Sequence, residues 1–264
     1  MIKILIVLEG ERTESDFFES ILEKFELNAE LLVVGTNLYT LYHKCRLYDF
    51  ECDVKDVLKE IIKDESKKDL LDQKFTYTYL VFDAELQHKA PDQRGKSIFA
   101  EDLVSQNFPK LIEMANHFTD ETDPSIGRLY INYPMMESFR YCDDFDDDNH
   151  LSSTVSIYEM RNFKQIASRM KLSGISPSKY EQTDFLNLIK MNIKRLMSLS
   201  DLEDNDFPLY STYMRISESK TIAENQSIMV KNNQELYIIN TSLFIILDYF
   251  GNRNGFYDDL TKKH

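Results

Sequence analysis

The first fifteen residues, MIKILIVLEGERTES, constrain the fold more than any other segment of this chain. Residues 4–8 are all apolar, which is typical of a β-strand in a sheet covered on both faces, and such sheets are usually parallel. Gly10 allows a tight turn after this strand, and Thr13 is predicted to be the N-cap of an amphipathic helix. Glu9 is therefore predicted to lie at the carboxyl end of a strand, where open α/β sheets place their ligand sites. The same position also suits a solvated carboxylate near a helix N-terminus.

Strand and helix patterns alternate up to about residue 142. Further strands are predicted at AELLVVGT, TYTYLVFD and GRLYINYP, each followed by a helical segment. This order predicts an α/β fold with a mainly parallel sheet flanked by helices and right-handed crossovers. The aspartate-rich segment CDDFDDDNH is interpreted as a solvated boundary loop. The segments after it, including ELYIINTSLFIILDYF (235–250), are predicted to be helices, so the C-terminal part is expected to be mainly helical.

Composition limits the partners and the compartment. The 264-residue chain has a net charge of −14, and residues 1–150 hold 17 Lys and Arg against 32 Asp and Glu. Because an acidic surface disfavours nonspecific attraction to phosphate backbones, a nucleic-acid role would need metal ions, a local basic face or a partner protein. No apolar stretch reaches the roughly 18 residues typical of a membrane span, and the three cysteines have no metal-binding spacing. A cytoplasmic protein without membrane association is predicted.

A second acidic position follows a later predicted strand, in YLVFDAELQH. Asp83 ends that strand and Glu85 lies two residues further on, and in extended backbone residues two apart project to the same side. If this strand pairs with the first one, Glu9, Asp83 and Glu85 meet at one edge of the sheet. Close carboxylates raise one another's pKa and are neutralised by a hard divalent cation such as Mg²⁺, which prefers oxygen ligands. Taken alone, the pair also fits a solvated turn.

This combination resembles the Toprim domain, in which a glutamate follows the first strand in a strand–Glu–Gly–helix context and a D-x-D-like pair follows a later strand. The family includes the catalytic domains of topoisomerases and primases and the nuclease parts of OLD-type anti-phage defence proteins. VLEGERTESDFFE resembles the opening of the defence-associated branch, and VVGTNLYTLY and GRLYINYPMMESFRY are similar to its later segments. The similarity covers about residues 1–142. It implies a Toprim-like catalytic domain over residues 1–145, followed by a helical C-terminal region over residues 146–264.

The resemblance also implies roles for individual residues. Glu9 matches the glutamate that acts as metal ligand or acid/base, and Asp83 and Glu85 match the metal-binding pair, with Glu85 standing where the family commonly has Asp. Glu14 and Glu137 are secondary candidates, Glu137 as a further metal ligand, and both also suit solvated or capping carboxylates at helix starts. With bound Mg²⁺, or Mn²⁺ in its place, such a site would polarise a phosphodiester and activate a water molecule.

The activity implied is that of a nuclease, with DNA or RNA, including tRNA, as its substrate. The resemblance further implies a toxic effector of bacterial anti-phage defence by abortive infection, which works with a partner ATPase or sensor protein. The residues leave homodimerisation open. They also leave open a catalytically inactive Toprim module that docks on an ATPase sensor, because Glu85 replaces the usual aspartate.

Several cations are candidates for nucleic-acid binding. Lys89, Arg94 and Lys96 follow the acidic pair and would supply positive charge beside the scissile phosphate. In the helical region, Lys190 and Lys194 lie one helical turn apart on the same face. Further cations of that region were considered for the same role: Arg161, Lys164, Arg169, Lys171 and Arg195. The helical cations equally fit a solvated face opposite an apolar stripe.

The loop after Asp83 contains a competing motif. The segment APDQRGKS (90–97) matches the nucleotide-binding P-loop pattern except for Ala90 in place of the first glycine. It does not follow its strand directly, and Pro91 stiffens it, so a nucleotide hydrolase is the less favoured alternative. His88 in the same loop is a candidate proton carrier, although an exposed loop histidine fits equally well.

Overall fold

The protein is an α/β structure, as its sequence predicts, and its main sheet has five strands where the sequence pattern indicates four. The computed structural model describes residues 2–145, 153–202, 207–251 and 255–262. The strands of the sheet are β1 (Ile4–Leu8), β2 (Ala29–Val33), β3 (Tyr77–Asp83), β4 (Thr119–Asp120) and β5 (Gly127–Asn132). Their order is β2-β1-β3-β5-β4, with all neighbours parallel except the short edge strand β4, which the sequence pattern did not reveal. The strand before Glu9 is therefore paired directly with the strand that ends at Asp83.

Five helices belong to the first part of the chain. They are α1 (Thr13–Lys24), α2 (Leu38–Leu47), α3 (Val54–Ile61), α4 (Glu65–Leu71) and α5 (Ala100–His117). The prediction of Thr13 as an N-cap is wrong by one residue, because Arg12 precedes the helix without a side-chain cap. The start of α1 is instead fixed by Glu14, whose carboxylate accepts a hydrogen bond from the Gly10 N–H at 2.8 Å.

The C-terminal part is mainly helical, with a small two-stranded sheet. Its helices are α6 (Phe163–Ala167), α7 (Gln182–Leu199), α8 (Tyr210–Ile216), α9 (Ser219–Asn233), α10 (Phe244–Phe250) and α11 (Phe256–Thr261). Strand β6 (Thr154–Ser156) pairs with β7 (Glu235–Tyr237) in antiparallel fashion. Most of the aspartate-rich segment, residues 146–150, lies outside the described residues.

The prediction of one helix over residues 235–250 is wrong in its first half. Strand β7 and extended backbone occupy residues 235–240, and the helix begins only at Phe244. Tertiary hydrogen bonds take up this backbone: Tyr237 N–H donates to the Gln226 side chain at 2.9 Å, and Asn240 N–H donates to the Asn192 side chain at 2.7 Å. These partners replace the hydrogen bonds that a helix would have supplied.

The helical region is attached to the sheet through buried polar contacts as well as apolar packing. Thr241 donates from its hydroxyl to the Ile131 carbonyl at 2.9 Å, and Ser242 N–H donates to the Asn132 side chain at 3.2 Å. One cluster of buried apolar residues includes members of both regions. The carboxyl end of β5, which precedes the turn that carries Glu137, is thereby attached to residues 241–242.

The described residues also bear on the membrane and cysteine predictions. None of the helices in the described ranges has the length and apolar character that a membrane span requires. Cys45 and Cys142 are buried and Cys52 is partly exposed, and all three are free thiols, as the sequence predicts.

Candidate metal centre

Glu9 and Asp83 meet at the carboxyl edge of the sheet. Parallel pairing of β1 with β3 sets Leu8, the last residue of β1, beside Val81, and β3 continues for two more residues to Asp83. The backbone N–H of Asp83 donates a hydrogen bond to Oε2 of Glu9 at 3.1 Å. The Asp83 side chain is only 8% exposed. The partly exposed Glu9 and the buried Asp83, two of the predicted site residues, therefore lie together, as the strand pattern predicts.

Glu85 sits in a backbone conformation that is unusual for its residue type. Its φ is +34°, in the left-handed region, where a side chain with a Cβ is strained. Three hydrogen bonds hold the turn: Tyr39 donates from its hydroxyl to the Ala84 carbonyl at 2.6 Å, Glu85 N–H to the Pro134 carbonyl at 3.3 Å, and His88 N–H to the Glu85 carbonyl at 2.7 Å. Strain maintained in this way is typical of functional positions.

Glu14 and Glu137 bring further carboxylates to the same edge. Glu14 is buried in the first turn of α1, and its hydrogen bond to Gly10 requires a small residue there, because an added Cβ would lie 3.3 Å from Glu14 Oε1. Glu137 lies in a 3₁₀ turn, Met136–Arg140, directly after β5. Burial raises the pKa of Glu14, Asp83 and Glu85, and the charge of Glu137 adds to each rise, which places Glu137 close to all three.

A lysine from the helical region completes the cluster. Lys164 of α6 places its Nζ 3.4 Å from Oε1 of Glu137. Burial raises the pKa of Glu9, Glu14 and Glu85, and the positive charge of Lys164 opposes that rise. The surrounding carboxylates, Glu137 first, raise the pKa of Lys164 against the effect of its own burial. Sequence reasoning named Lys164 among the possible nucleic-acid contacts but had no signal that would bring α6 to the end of the sheet. We call Glu9, Glu14, Asp83, Glu85, Glu137 and Lys164 the carboxylate cluster.

Burial and mutual repulsion raise the pKa of four acids of the cluster, Glu9, Glu14, Asp83 and Glu85. Burial, followed by the charge of Glu85, raises the pKa of Glu9 to about 9. Burial raises the pKa of Glu14 to about 7, and burial with the charge of Glu9 raises the pKa of Asp83 well above its usual range. Burial also raises the pKa of Glu85. One lysine does not neutralise the five carboxylates, so the cluster favours an additional positive charge.

Two oxygens of the cluster lack hydrogen-bond partners in a buried setting. They are Oδ1 of Asp83 and Oε2 of Glu137. A buried oxygen without a partner is costly, and a cation would satisfy it. Within the described part of the chain, however, no group of three or more His, Cys, Asp and Glu side chains is arranged to hold a metal ion as it stands. The donor chemistry therefore fits a hard divalent cation such as Mg²⁺ or Mn²⁺, whereas the side chains would have to rotate to converge on it.

A cavity of about 380 Å³ opens beside the carboxylate cluster. Its wall contains Glu85 and Lys164 of the cluster together with His88 and Arg161. The carboxylate of Glu85 and the cations of Lys164 and Arg161 thus face the same open space. This arrangement suits a phosphate group, whose charge the cations can bind while it lies next to the acids.

The predicted nucleic-acid contacts are not brought together. Lys89 donates to the Lys96 carbonyl at 2.6 Å within the exposed loop, whereas Arg94 lines a different cavity. Lys190 and Lys194 lie on α7, both partly buried, and the Lys194 Nζ lies 5.8 Å from the Phe207 ring centroid. Neither residue is part of the cavity wall described above.

The interpretation of Arg195 as a nucleic-acid contact is wrong. The side chain is 1% exposed. Its guanidinium donates hydrogen bonds to the carbonyl oxygens of Tyr141 at 2.7 Å and Ile238 at 3.2 Å. Arg195 therefore connects α7 to the segments that contain Tyr141 and Ile238, and its buried side chain is not available to a ligand in solution.

The P-loop-like segment does not have the geometry of a phosphate cradle. Strand β3 ends at Asp83 and α5 begins at Ala100, so residues 84–99 separate strand from helix. Pro91–Gln93 form a 3₁₀ turn in the middle of that loop. A P-loop joins its strand to its helix directly, and the nucleotide-hydrolase alternative therefore gains no support.

Comparisons of the chain with models of protein families, with curated proteins and with solved structures give no match.

Proposed function

We propose that this chain is a metal-dependent nuclease that hydrolyses phosphodiester bonds at the carboxylate cluster. The observation that carries the proposal is the buried Asp83, whose Oδ1 has no hydrogen-bond partner although it lies among Glu9, Glu14, Glu85 and Glu137. A buried carboxylate with no partner and a strongly raised pKa is a functional-site candidate. The positions at the carboxyl ends of adjacent parallel strands support the same conclusion.

Glu9, Asp83, Glu85 and Glu137 would hold the cation, and Mg²⁺ is the expected ion, with Mn²⁺ as a substitute. When bound, such an ion acts as a Lewis acid on the phosphodiester and lowers the pKa of a bound water. Lys164 and Arg161 bind and orient the phosphate from the side of the cavity. Glu14 lies behind Gly10 and, with a pKa near 7, can hold or release a proton at neutral pH.

The wider role rests on the sequence resemblance to Toprim proteins. It supports a toxic effector of anti-phage defence that acts on DNA or RNA, tRNA included, together with a partner ATPase or sensor. The strongly acidic composition agrees with a need for such a partner, because most of the surface repels nucleic acid.

Purified wild-type protein and the Asp83→Asn and Glu9→Gln variants, incubated with labelled DNA and RNA in Mg²⁺ or Mn²⁺, test the proposal. We expect cleavage by the wild type that EDTA abolishes, and a loss of at least about 10²-fold in each variant. Glu224→Gln, which changes an exposed carboxylate on α9, is the matched control and should cleave normally. Metal-dependent cleavage that survives Asp83→Asn would overturn the assignment.

The inactive-module alternative has one observation in its favour, namely that the described side chains do not converge into a ready metal site. Under that alternative, Lys164 is the permanent counter-ion of the acids and the face serves for docking. It predicts that neither Mg²⁺ nor Mn²⁺ supports cleavage of any nucleic acid, and that Glu9→Gln leaves growth arrest in cells unchanged.

A further inference from the structure

A second cavity, of about 560 Å³, lies next to the one at the carboxylate cluster, and His88 lines both. Helix α2 contributes His43, Lys44 and Arg46 to its wall, and the loop after β3 contributes His88 and Arg94. We call the cavity bordered by these five residues the basic groove. Three of the five residues, Lys44, Arg46 and Arg94, are cations, in a chain with a net charge of −14.

With the neighbouring Lys110 included, the basic groove has one more positive charge than negative: Lys44, Arg46, Arg94 and Lys110 face Glu60, Glu113 and Asp92. Lys44 and Arg46 are paired with Glu60 at 3.0 Å and Glu113 at 3.1 Å, and Asp92 lines the groove as a third acid. Lys110 is a further cation near the groove, close enough for its charge to act on both groove histidines. Burial and then the charge of Lys110 lower the pKa of both histidines, His43 and His88. The groove therefore offers a local positive field, which an acidic protein needs in order to hold a phosphate chain.

The groove also has apolar and aromatic surface, which would contact bases rather than phosphates. His88 is held flat by stacking on Tyr39, with ring centroids 4.7 Å apart and an interplanar angle of 12°, and its Nδ1 lies 3.2 Å from the Asn37 amide nitrogen. Leu47 lines the groove and is 75% exposed, and Pro91 lies opposite it in the loop. Proteins that bind single strands combine cations for the backbone with such surfaces for unstacked bases.

We propose that the basic groove binds single-stranded nucleic acid and leads it past His88 to the carboxylate cluster. The proposal deepens the proposed function, on which it rests, by naming the substrate as a single strand. The groove volume lies within the range of about 300–1,000 Å³ that accommodates ligands of nucleotide size. A duplex would keep its bases stacked, so Leu47, Pro91 and His88 would gain no contact from it.

Binding without cleavage tests the groove separately from the chemistry. Fluorescence anisotropy in EDTA, with labelled single-stranded DNA, single-stranded RNA and the matching duplex, would be measured for the wild type, Arg94→Glu and His43→Glu. Both residues are exposed, so the changes should leave folding intact. Lys220→Glu is the matched control, because Lys220 is an exposed cation in a cavity that also contains Arg128, at the opposite end of β5.

We expect the wild type to bind a single strand at least 10-fold more tightly than the duplex, with a steep salt dependence. Arg94→Glu and His43→Glu should each weaken single-strand binding at least 10-fold, and Lys220→Glu should not change it. Equal affinity in the groove variants, or tighter binding of the duplex, would overturn the groove assignment even if the protein cleaves. Normal binding by an Asp83→Asn variant that still cleaves would instead overturn the proposed function and leave the groove intact.

Discussion

Lys164 is the cation of the carboxylate cluster. It approaches Glu137 to 3.4 Å, and its side chain is nevertheless 68% exposed. A cation in this position can neutralise acids in the resting protein and bind phosphate when substrate arrives. The two tasks affect metal binding and cleavage in opposite directions, which makes them separable by experiment.

Replacing Lys164 by Met should therefore lower the rate of cleavage and raise the affinity for Mn²⁺. Cleavage is expected to fall about 10²-fold, because a charged contact to the phosphate is lost. Affinity for Mn²⁺ is expected to rise several-fold, because a competing positive charge is removed from the acids. Lys164→Arg should retain most of the activity. Parallel measurement of cleavage rates and of Mn²⁺ affinity checks both arms, and a fall in metal affinity in the Met variant would contradict this role.

Strands β1, β3 and β5 position the acids, and the helical region locks the end of the sheet in place. Helix α7 contributes Arg195, whose guanidinium donates hydrogen bonds to the carbonyl oxygens of Tyr141 and Ile238. This buried cation acts between elements, since Tyr141 follows the 3₁₀ turn of Glu137 and Ile238 follows β7.

Arg195→Met should lower the free energy of unfolding by about 2 kcal/mol or more. The reason is that two buried carbonyl oxygens lose a charged hydrogen-bond donor, and an unsatisfied buried acceptor costs about 1–3 kcal/mol. Lys190→Met, on the same helix but partly exposed, is the matched control and should change stability by less than about 0.5 kcal/mol. Urea denaturation of the three proteins measures the difference, and equal stability would refute the locking role.

The elements of the site that follow from local pattern could be predicted from the sequence. The apolar residues before Glu9 and before Asp83 each predict a buried strand, and parallel pairing of these two strands brings their carboxyl ends together. The position of Lys164 could not be predicted, because it depends on packing between distant segments. The helix assigned to residues 235–240 failed for the same reason, since Gln226 and Asn192 capture that backbone through tertiary contacts.

In the whole molecule, the buried acids tie stability to pH. In the folded chain burial raises the pKa of Glu9 from 4.5 to about 9 and that of Glu14 from 4.5 to about 7. The folded state then binds more protons than the unfolded state between about pH 4.5 and 9. The free energy of unfolding of the metal-free protein must therefore decrease as pH rises through that window.

Thermal and urea denaturation in EDTA at several pH values between 5 and 9 would measure this dependence. We expect the wild type to lose stability towards pH 9 and Glu9→Gln to lose less, with a gap of more than about 1.4 kcal/mol at pH 9, the equivalent of one pKa unit. Replacing EDTA by Mg²⁺ should restore wild-type stability at high pH and have little effect on Glu9→Gln. The same stability at pH 5 and pH 9 in EDTA would show that the pKa values of these acids are not raised in the folded chain.

The most direct measurement is a Mn²⁺ titration at pH 8, followed by electron paramagnetic resonance of the free ion, for the wild type, Asp83→Asn and Glu224→Gln. Binding at the carboxylate cluster predicts that the wild type and Glu224→Gln take up Mn²⁺ with equal affinity and that Asp83→Asn binds at least 10-fold more weakly. Equal uptake by all three proteins, or no uptake by the wild type, would contradict a metal site at Asp83.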